Sequence, residues 1–184
     1  MTDLEDLYRE IILDHYRSPR NRGELESPPA QRVEGFNPLC GDEVVVTVLV
    51  EDGCVTDVRF AGNGCSISQS SASLMSSAVK GKSVDEVREL IRTFKSMMSI
   101  HEATLGPDDG DGDGDGGGDG HGDEDGDRPG SGSHAGAESN GLTDVRELGE
   151  LAALQGVVKF PVRIKCATLS WNALAQGLDE VESG

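Results

Sequence analysis

The run Val44-Val45-Val46-Thr47-Val48-Leu49-Val50-Glu51-Asp52-Gly53-Cys54-Val55-Thr56-Asp57-Val58-Arg59-Phe60-Ala61 decides the fold. Val44 to Val50 is nearly continuous in β-branched residues, which suit the pleated surface of a strand. Glu51-Asp52-Gly53 is a hairpin signal, because Asp-Gly accepts the positive φ of a tight two-residue turn. From Val55 to Ala61, Val58 and Phe60 alternate with Asp57 and Arg59, so a second, antiparallel strand follows. Upstream, Arg32 to Phe36 reads as a further short strand.

Outward from this hairpin the spacing turns helical. From Cys65 to Lys80, Ile67, Leu74, Met75 and Ala78 share a face, with Gly81 as the stop. Ser83 and Glu86 form a capping box, and Val87, Leu90, Ile91, Phe94 and Met98 follow at intervals of three and four. At the N-terminus Thr2 to Tyr16 reads as an amphipathic helix. Thr2 and Glu5 form its capping box, and Leu4, Leu7, Tyr8, Ile11 and Ile12 form its apolar face. Pro19 and Gly23 end it, and Ser18 to Gln31 is a connecting arm. Leu142 to Leu154 resumes helical spacing, with Thr143 as cap and Val145, Leu148 and Ala152 on one face. Pro161 is expected to interrupt the next run, and a last helix to span about Cys166 to Leu178. The sum is α+β: a small antiparallel sheet of about three strands with helices on one face. A single domain over 1–184 is interrupted at about 106–141 by a Gly/Asp-rich insert expected to stay disordered.

The net charge is −18, and the nine Asp and two Glu between Gly106 and Gly141 face Arg128 alone. That balance argues against a nucleic-acid or anionic-membrane surface, which needs clustered Lys and Arg. An acidic body of this kind would suit a high-salt cytoplasm. Asp113, Asp115 and Glu124 echo a calcium loop, but Gly117 and Gly120 stand where a ligand and an apolar residue belong. The insert therefore reads as a solvated tether. No apolar run reaches the roughly 20 residues that span a bilayer, and Met1-Thr2-Asp3-Leu4-Glu5-Asp6 does not look like a signal peptide. The expected location is cytoplasmic, where thiols stay reduced. Four cysteines then point to metal or sulfur chemistry more than to disulfides.

Three stretches carry that chemistry: Asn37-Pro38-Leu39-Cys40-Gly41-Asp42, Gly62-Asn63-Gly64-Cys65-Ser66-Ile67-Ser68 and Pro161-Val162-Arg163-Ile164-Lys165-Cys166. Cys40 sits in a Pro/Gly turn. Cys65 and Cys166 each read as opening a helix, where the N-terminus stabilises a thiolate. No Cys-x-x-Cys pair is present, so spacing alone does not define a zinc site. Any one cysteine can simply be a small buried apolar residue, and Cys54, just after the hairpin turn, is read that way. Asp42 is alternatively a turn residue. His15, His101, His121 and His134 have no cysteine neighbour at ligand spacing.

The chain resembles the SufU branch of the SufU/IscU/NifU N-terminal iron–sulfur assembly proteins. The resemblance is carried by Leu7-Tyr8 with Ile11 to Tyr16 and Pro19 to Gly23, by Asn37 to Asp42, by Gly64 to Ser68, and by Arg163 to Trp171. It implies that Cys40, Asp42, Cys65 and Cys166 converge on one partly exposed metal site. Scaffold members of the family carry His before the third cysteine, whereas this chain has Lys165 there, as SufU-type members do. Those members also carry an insertion between the second and third cysteines, and here Cys65 and Cys166 are 101 residues apart.

The implied function is that of a zinc-bound sulfur acceptor. Cys40 takes persulfide sulfur from a SufS-type cysteine desulfurase and passes it to a downstream scaffold or apo-protein. The alternative is a scaffold that holds an iron–sulfur cluster through Cys40, Cys65 and Cys166. A structural zinc module is the third reading. The first implies an accessory sulfurtransferase activity and the others none.

Overall fold

A computed structural model describes residues 2–99 and 145–184. Three strands form an antiparallel sheet in the order β1-β2-β3: β1 is Gln31–Asn37, β2 Asp42–Glu51 and β3 Cys54–Asn63. The β2–β3 turn is Asp52-Gly53, with φ of 51° and 75°, as the Asp-Gly signal requires. Val33, Val44, Val46, Val48, Val58 and Phe60 are all buried in one core. The short strand expected around Arg32 to Phe36 is β1, paired with β2 along its length.

The helices cover that apolar face. They are α1 (Thr2–Arg17), α2 (Ser66–Val79), α3 (Val84–Ser99) and α4 (Pro161–Ser183), with a 3-10 segment at Val145–Lys159. Helix α4 packs across β1 and β2, and α2 lies between α1 and α4. The capping box of α3 forms in both directions: the Ser83 amide donates to Glu86 Oε2 at 2.9 Å, and the Glu86 amide to Ser83 Oγ at 3.3 Å. The Phe94 ring stacks on Trp171 at 4.2 Å between centroids, joining α3 to α4. The arm after α1 covers the free edge of β3, where the Phe60 amide donates to Asn21 O and the Gly23 amide to Phe60 O.

Several expectations are corrected. Pro161 begins α4 instead of interrupting it: at the first helical position its missing N–H and fixed φ cost nothing. Cys166 therefore lies in the second turn of α4, and the helix runs beyond Leu178. Cys54 is exposed at the hairpin corner, not a buried apolar residue. Leu4 and Leu7 are exposed, whereas Ile11 and Ile12 pack against the core as expected, and His15 is the fully buried residue among the described side chains of α1. Helix α2 has no single apolar face: Ser68, Ser70, Ser71, Ser73 and Ser76 are buried along with Leu74 and Met75. The expected helix after Leu142 is, where described, a 3-10 segment broken at Gly149 (φ 53°). The Thr2 and Thr143 caps, the insert at 106–141 and His101, His121 and His134 lie outside the described residues or side chains.

Serine suits α2 because a small hydroxyl lets neighbouring helices approach while its own polarity is satisfied. Ser71 Oγ donates to Ala167 O at 2.6 Å and accepts Trp171 Nε1 at 3.1 Å. Ser73 Oγ meets His15 Nδ1 and the Arg20 amide, each at 2.8 Å. His15 Nε2 lies 3.5 Å from Glu150 Oε2 on the 3-10 segment.

Burial first, and then the charge of Arg20, hold the His15 pKa below its ordinary 6.5, with Glu150 pulling the other way. The folded chain thus takes up this proton at lower pH than the unfolded chain. The contribution is fully present above about pH 6.5 and is lost as pH falls toward the folded pKa. Thermal melts should therefore fall as pH drops from 7.5 to 5.5, and less steeply in His15→Gln; parallel slopes would show that His15 is not the group responsible. Phe94→Ala, which removes half of the aromatic stack, should cost about 3–5 kcal/mol in denaturant unfolding.

Candidate metal centre

The antiparallel order brings the end of β1, the start of β2 and the end of β3 to one edge of the sheet. Asn37 and Asp42 are paired across the β1–β2 hairpin, leaving Pro38 to Gly41 as its loop. The Gly41 amide donates to Asn37 O at 2.8 Å and the Leu39 amide to Asn37 Oδ1 at 3.2 Å. Cys40 is thereby held near the loop tip, half-buried, beside Leu39, which is 63% exposed. Asp42, the first residue of β2, is buried.

At the same edge β3 runs out through Gly64 into α2, and Cys65 is the N-cap residue. Its sulfur accepts the Ser68 amide at 3.4 Å. The Cys65 amide donates to Asp42 Oδ1 at 2.8 Å, and Cys65 Sγ lies 3.7 Å from Asp42 Oδ2. Gly64 makes this approach possible, because a Cβ there would stand 2.8 Å from Asp42 Oδ1. Cys166 comes down from α4, fully buried. Its thiol donates to Cys40 Sγ at 3.1 Å and accepts Asn37 Nδ2 at 3.7 Å.

Cys40, Asp42 and Cys166 each place one ligand atom within 4.8 Å of the others. Cys65 joins them through its contact with Asp42 Oδ2. The structure thus groups Cys40, Asp42 and Cys166, with Cys65 outside that group of three and touching it through Asp42, while Cys54 stays apart on the hairpin. Of the histidines only His15 is described, and it is engaged by Ser73 and Glu150. Arg163 was missed as a site residue. It is exposed on the first turn of α4, and its pKa is raised first by the charge of Cys65 and then by hydrogen bonds to Cys65 and Cys166. The signal was present: Arg163 and Cys166 are three apart, on one face of a helix.

The Cys166 thiol is pushed above its ordinary range by burial first, then by its hydrogen bonds to Cys40 and Asp42 and by the nearby charge of Cys65. Sulfurs packed beside a buried carboxylate form a donor set that suits a cation of borderline softness. Three thiols and one carboxylate suit a tetrahedral zinc ion, whose thiolate ligands would lie about 2.3 Å away.

The chain has relatives among known proteins. The NifU-like N terminal domain family matches residues 7–108. The zinc-dependent sulfurtransferase SufU of Bacillus subtilis (strain 168) is 37% identical over 182 residues, covering 99% of this chain and 96% of that protein. The iron-sulfur cluster assembly scaffold protein IscU of Streptococcus pyogenes serotype M1 is 33% identical over 178 residues, covering 97% and 86%. Among solved structures, a candidate iron-sulfur cluster assembly scaffold protein for the SUF system from Fervidobacterium islandicum AW-1 superposes with a TM-score of 0.66. It is 26% identical, with 92% of this chain and 94% of that one covered. The chain belongs to the NifU-like N-terminal domain family, in its SufU/IscU group of iron–sulfur cluster assembly proteins.

The close approach at Gly64 yields a prediction. Gly64→Ala should displace Asp42 and lower zinc affinity by about 10–100-fold, the usual cost of disturbing the support of a ligand. Competition with a chromophoric chelator measures this, and circular dichroism should show the fold retained.

Proposed function

We propose that the chain is a zinc-bound sulfur acceptor that takes persulfide sulfur from a SufS-type cysteine desulfurase and passes it to an iron–sulfur scaffold or apo-protein. The observation that carries this reading is the meeting of Cys40 Sγ with Cys166 Sγ at 3.1 Å, beside buried Asp42, on a loop that faces outward. Cys40, Asp42, Cys65 and Cys166 would hold the ion, and its positive charge would favour their deprotonated forms.

Cys40 is the acceptor because the other two thiols are committed to structure: Cys166 is buried within α4 and Cys65 caps α2. Its thiolate attacks the outer sulfur of the desulfurase persulfide. The S–S bond to the desulfurase cysteine breaks and that cysteine leaves as thiolate. A new S–S bond forms on Cys40, the proton stays on the transferred sulfur, and nothing is oxidised or reduced overall. Arg163, on the first turn of α4 beside Cys65 and Cys166, would steady negative charge on those sulfurs while Cys40 is occupied. Asp42 is the weakest donor to a soft site, which would keep the site exchangeable.

The second reading is a scaffold for an iron–sulfur cluster on the same residues. The likeness to IscU of Streptococcus pyogenes favours it. Lys165, exposed where scaffold members carry His, favours the acceptor. A closed structural zinc module is disfavoured by the half-exposed Cys40 loop. Among the described residues no helix is long and apolar enough to cross a membrane.

The test is to purify the chain without added metal, identify what it holds, and assay a desulfurase with and without it. Tightly held zinc and a rise in persulfide or sulfide output are expected, with that rise reduced about tenfold or more in Cys40→Ala. An iron–sulfur chromophore that transfers to an apo-protein would favour the scaffold instead.

A further inference from the structure

A cavity of about 750 Å³ opens between α1, the first turn of α2, the 3-10 segment and the start of α4. That size falls within the roughly 300–1,000 Å³ of small-molecule sites. Tyr8, Ile12, Ile67 and Val157 give it an apolar wall. Two polar groupings break that wall. One is Cys65 with Arg163, so the cavity reaches the sulfur cluster from α1's side, and neither Cys40 nor Asp42 lines it. The other is Glu5 with Lys159, bonded at 2.9 Å, and Arg9 beside them.

The charge of this cavity runs against that of the chain. Arg9, Lys159 and Arg163 line it against Glu5 alone, although the net charge of the whole chain is −18. Arg9 has no ion-pair partner among the described residues. The lining thus offers cations for a carboxylate, an apolar wall for a short aliphatic or amide body, and a cysteine cluster at one side.

We propose that this cavity binds a small thiol bearing one or more carboxylates, which carries sulfur away from the cluster. The proposal rests on the sulfur-acceptor reading above and names the molecule that would empty the acceptor. The small thiolate attacks the outer sulfur of the Cys40 persulfide. The S–S bond to Cys40 breaks, a new S–S bond forms on the small molecule, and the proton stays on the transferred sulfur. Cys40 leaves as thiolate, with no net oxidation or reduction. A persulfide lengthens the Cys40 side chain by about 2 Å, and Cys65, which lines the cavity, touches Asp42, two residues from Cys40. Sulfur can then arrive from a protein partner at the loop and leave through the cavity.

The probe is ophthalmic acid, the glutathione analogue with methyl in place of the thiol, which cannot ligate zinc through sulfur. Calorimetric titration of the zinc-loaded full chain should show saturable binding at concentrations below ~10 mM. Arg9→Glu and Lys159→Ala should each weaken it about tenfold, as loss of a charge-assisted contact does, and Glu5→Gln should tighten it. In chain loaded with persulfide, removal by reduced glutathione should saturate with concentration, and become linear over the same range in Arg9→Glu. A persulfide on Cys40 without saturable probe binding overturns the cavity proposal alone. Protection of Arg9 and Lys159 from modification by the desulfurase, with no probe binding, also overturns it and assigns the cavity to the protein partner. Probe binding with no persulfide ever found on Cys40 overturns the acceptor reading and the transfer step, while supporting the ligand class.

Discussion

The bond from the Cys65 amide to Asp42 Oδ1 is the constraint on which the site depends. Asp42 is buried, and a buried carboxylate is costly unless its oxygens are satisfied. One oxygen takes the amide at the start of α2, and the other faces the Cys65 sulfur. A single side chain thereby fixes the β1–β2 hairpin against the β3–α2 junction. Cys40 then sits at the open side of this corner, on a loop closed by hydrogen bonds to Asn37.

The second support is helix α2. Its buried serines let α1 and α4 approach closely, with Ser71 and Ser73 hydrogen-bonding across the contacts. Ser71 ties α2 to Ala167 O, next to Cys166, and to the Trp171 indole. Through it the helix that begins at Cys65 holds the helix that carries Cys166. The sulfur cluster is therefore set by the packing of the core, and of its three thiols Cys40 alone sits on a loop.

Much of this was legible in the sequence because the signals were local. The β-branched run, the Asp-Gly turn and the Ser83–Glu86 capping box each specify backbone over a few residues, and each formed where expected. The long-range features were less legible. Proline both ends and begins helices, and only packing of α4 on β1 and β2 decides that Pro161 begins one. The serines of α2 carry no apolar periodicity, so nothing in the sequence marks them as buried. Cys40, Asp42 and Cys166 were legible as neighbours through a family resemblance spread over separated motifs; the spacing of Arg163 three residues before Cys166 becomes informative only once Pro161 is seen to begin α4.

The proposed site has three thiolates and one carboxylate of this chain closing on one ion. X-ray absorption at the zinc edge of the loaded protein tests it most directly. The account predicts three sulfurs at about 2.3 Å and one oxygen at about 2.0 Å. A shell of four sulfurs, a histidine nitrogen among the ligands, or an oxygen-only shell would contradict it.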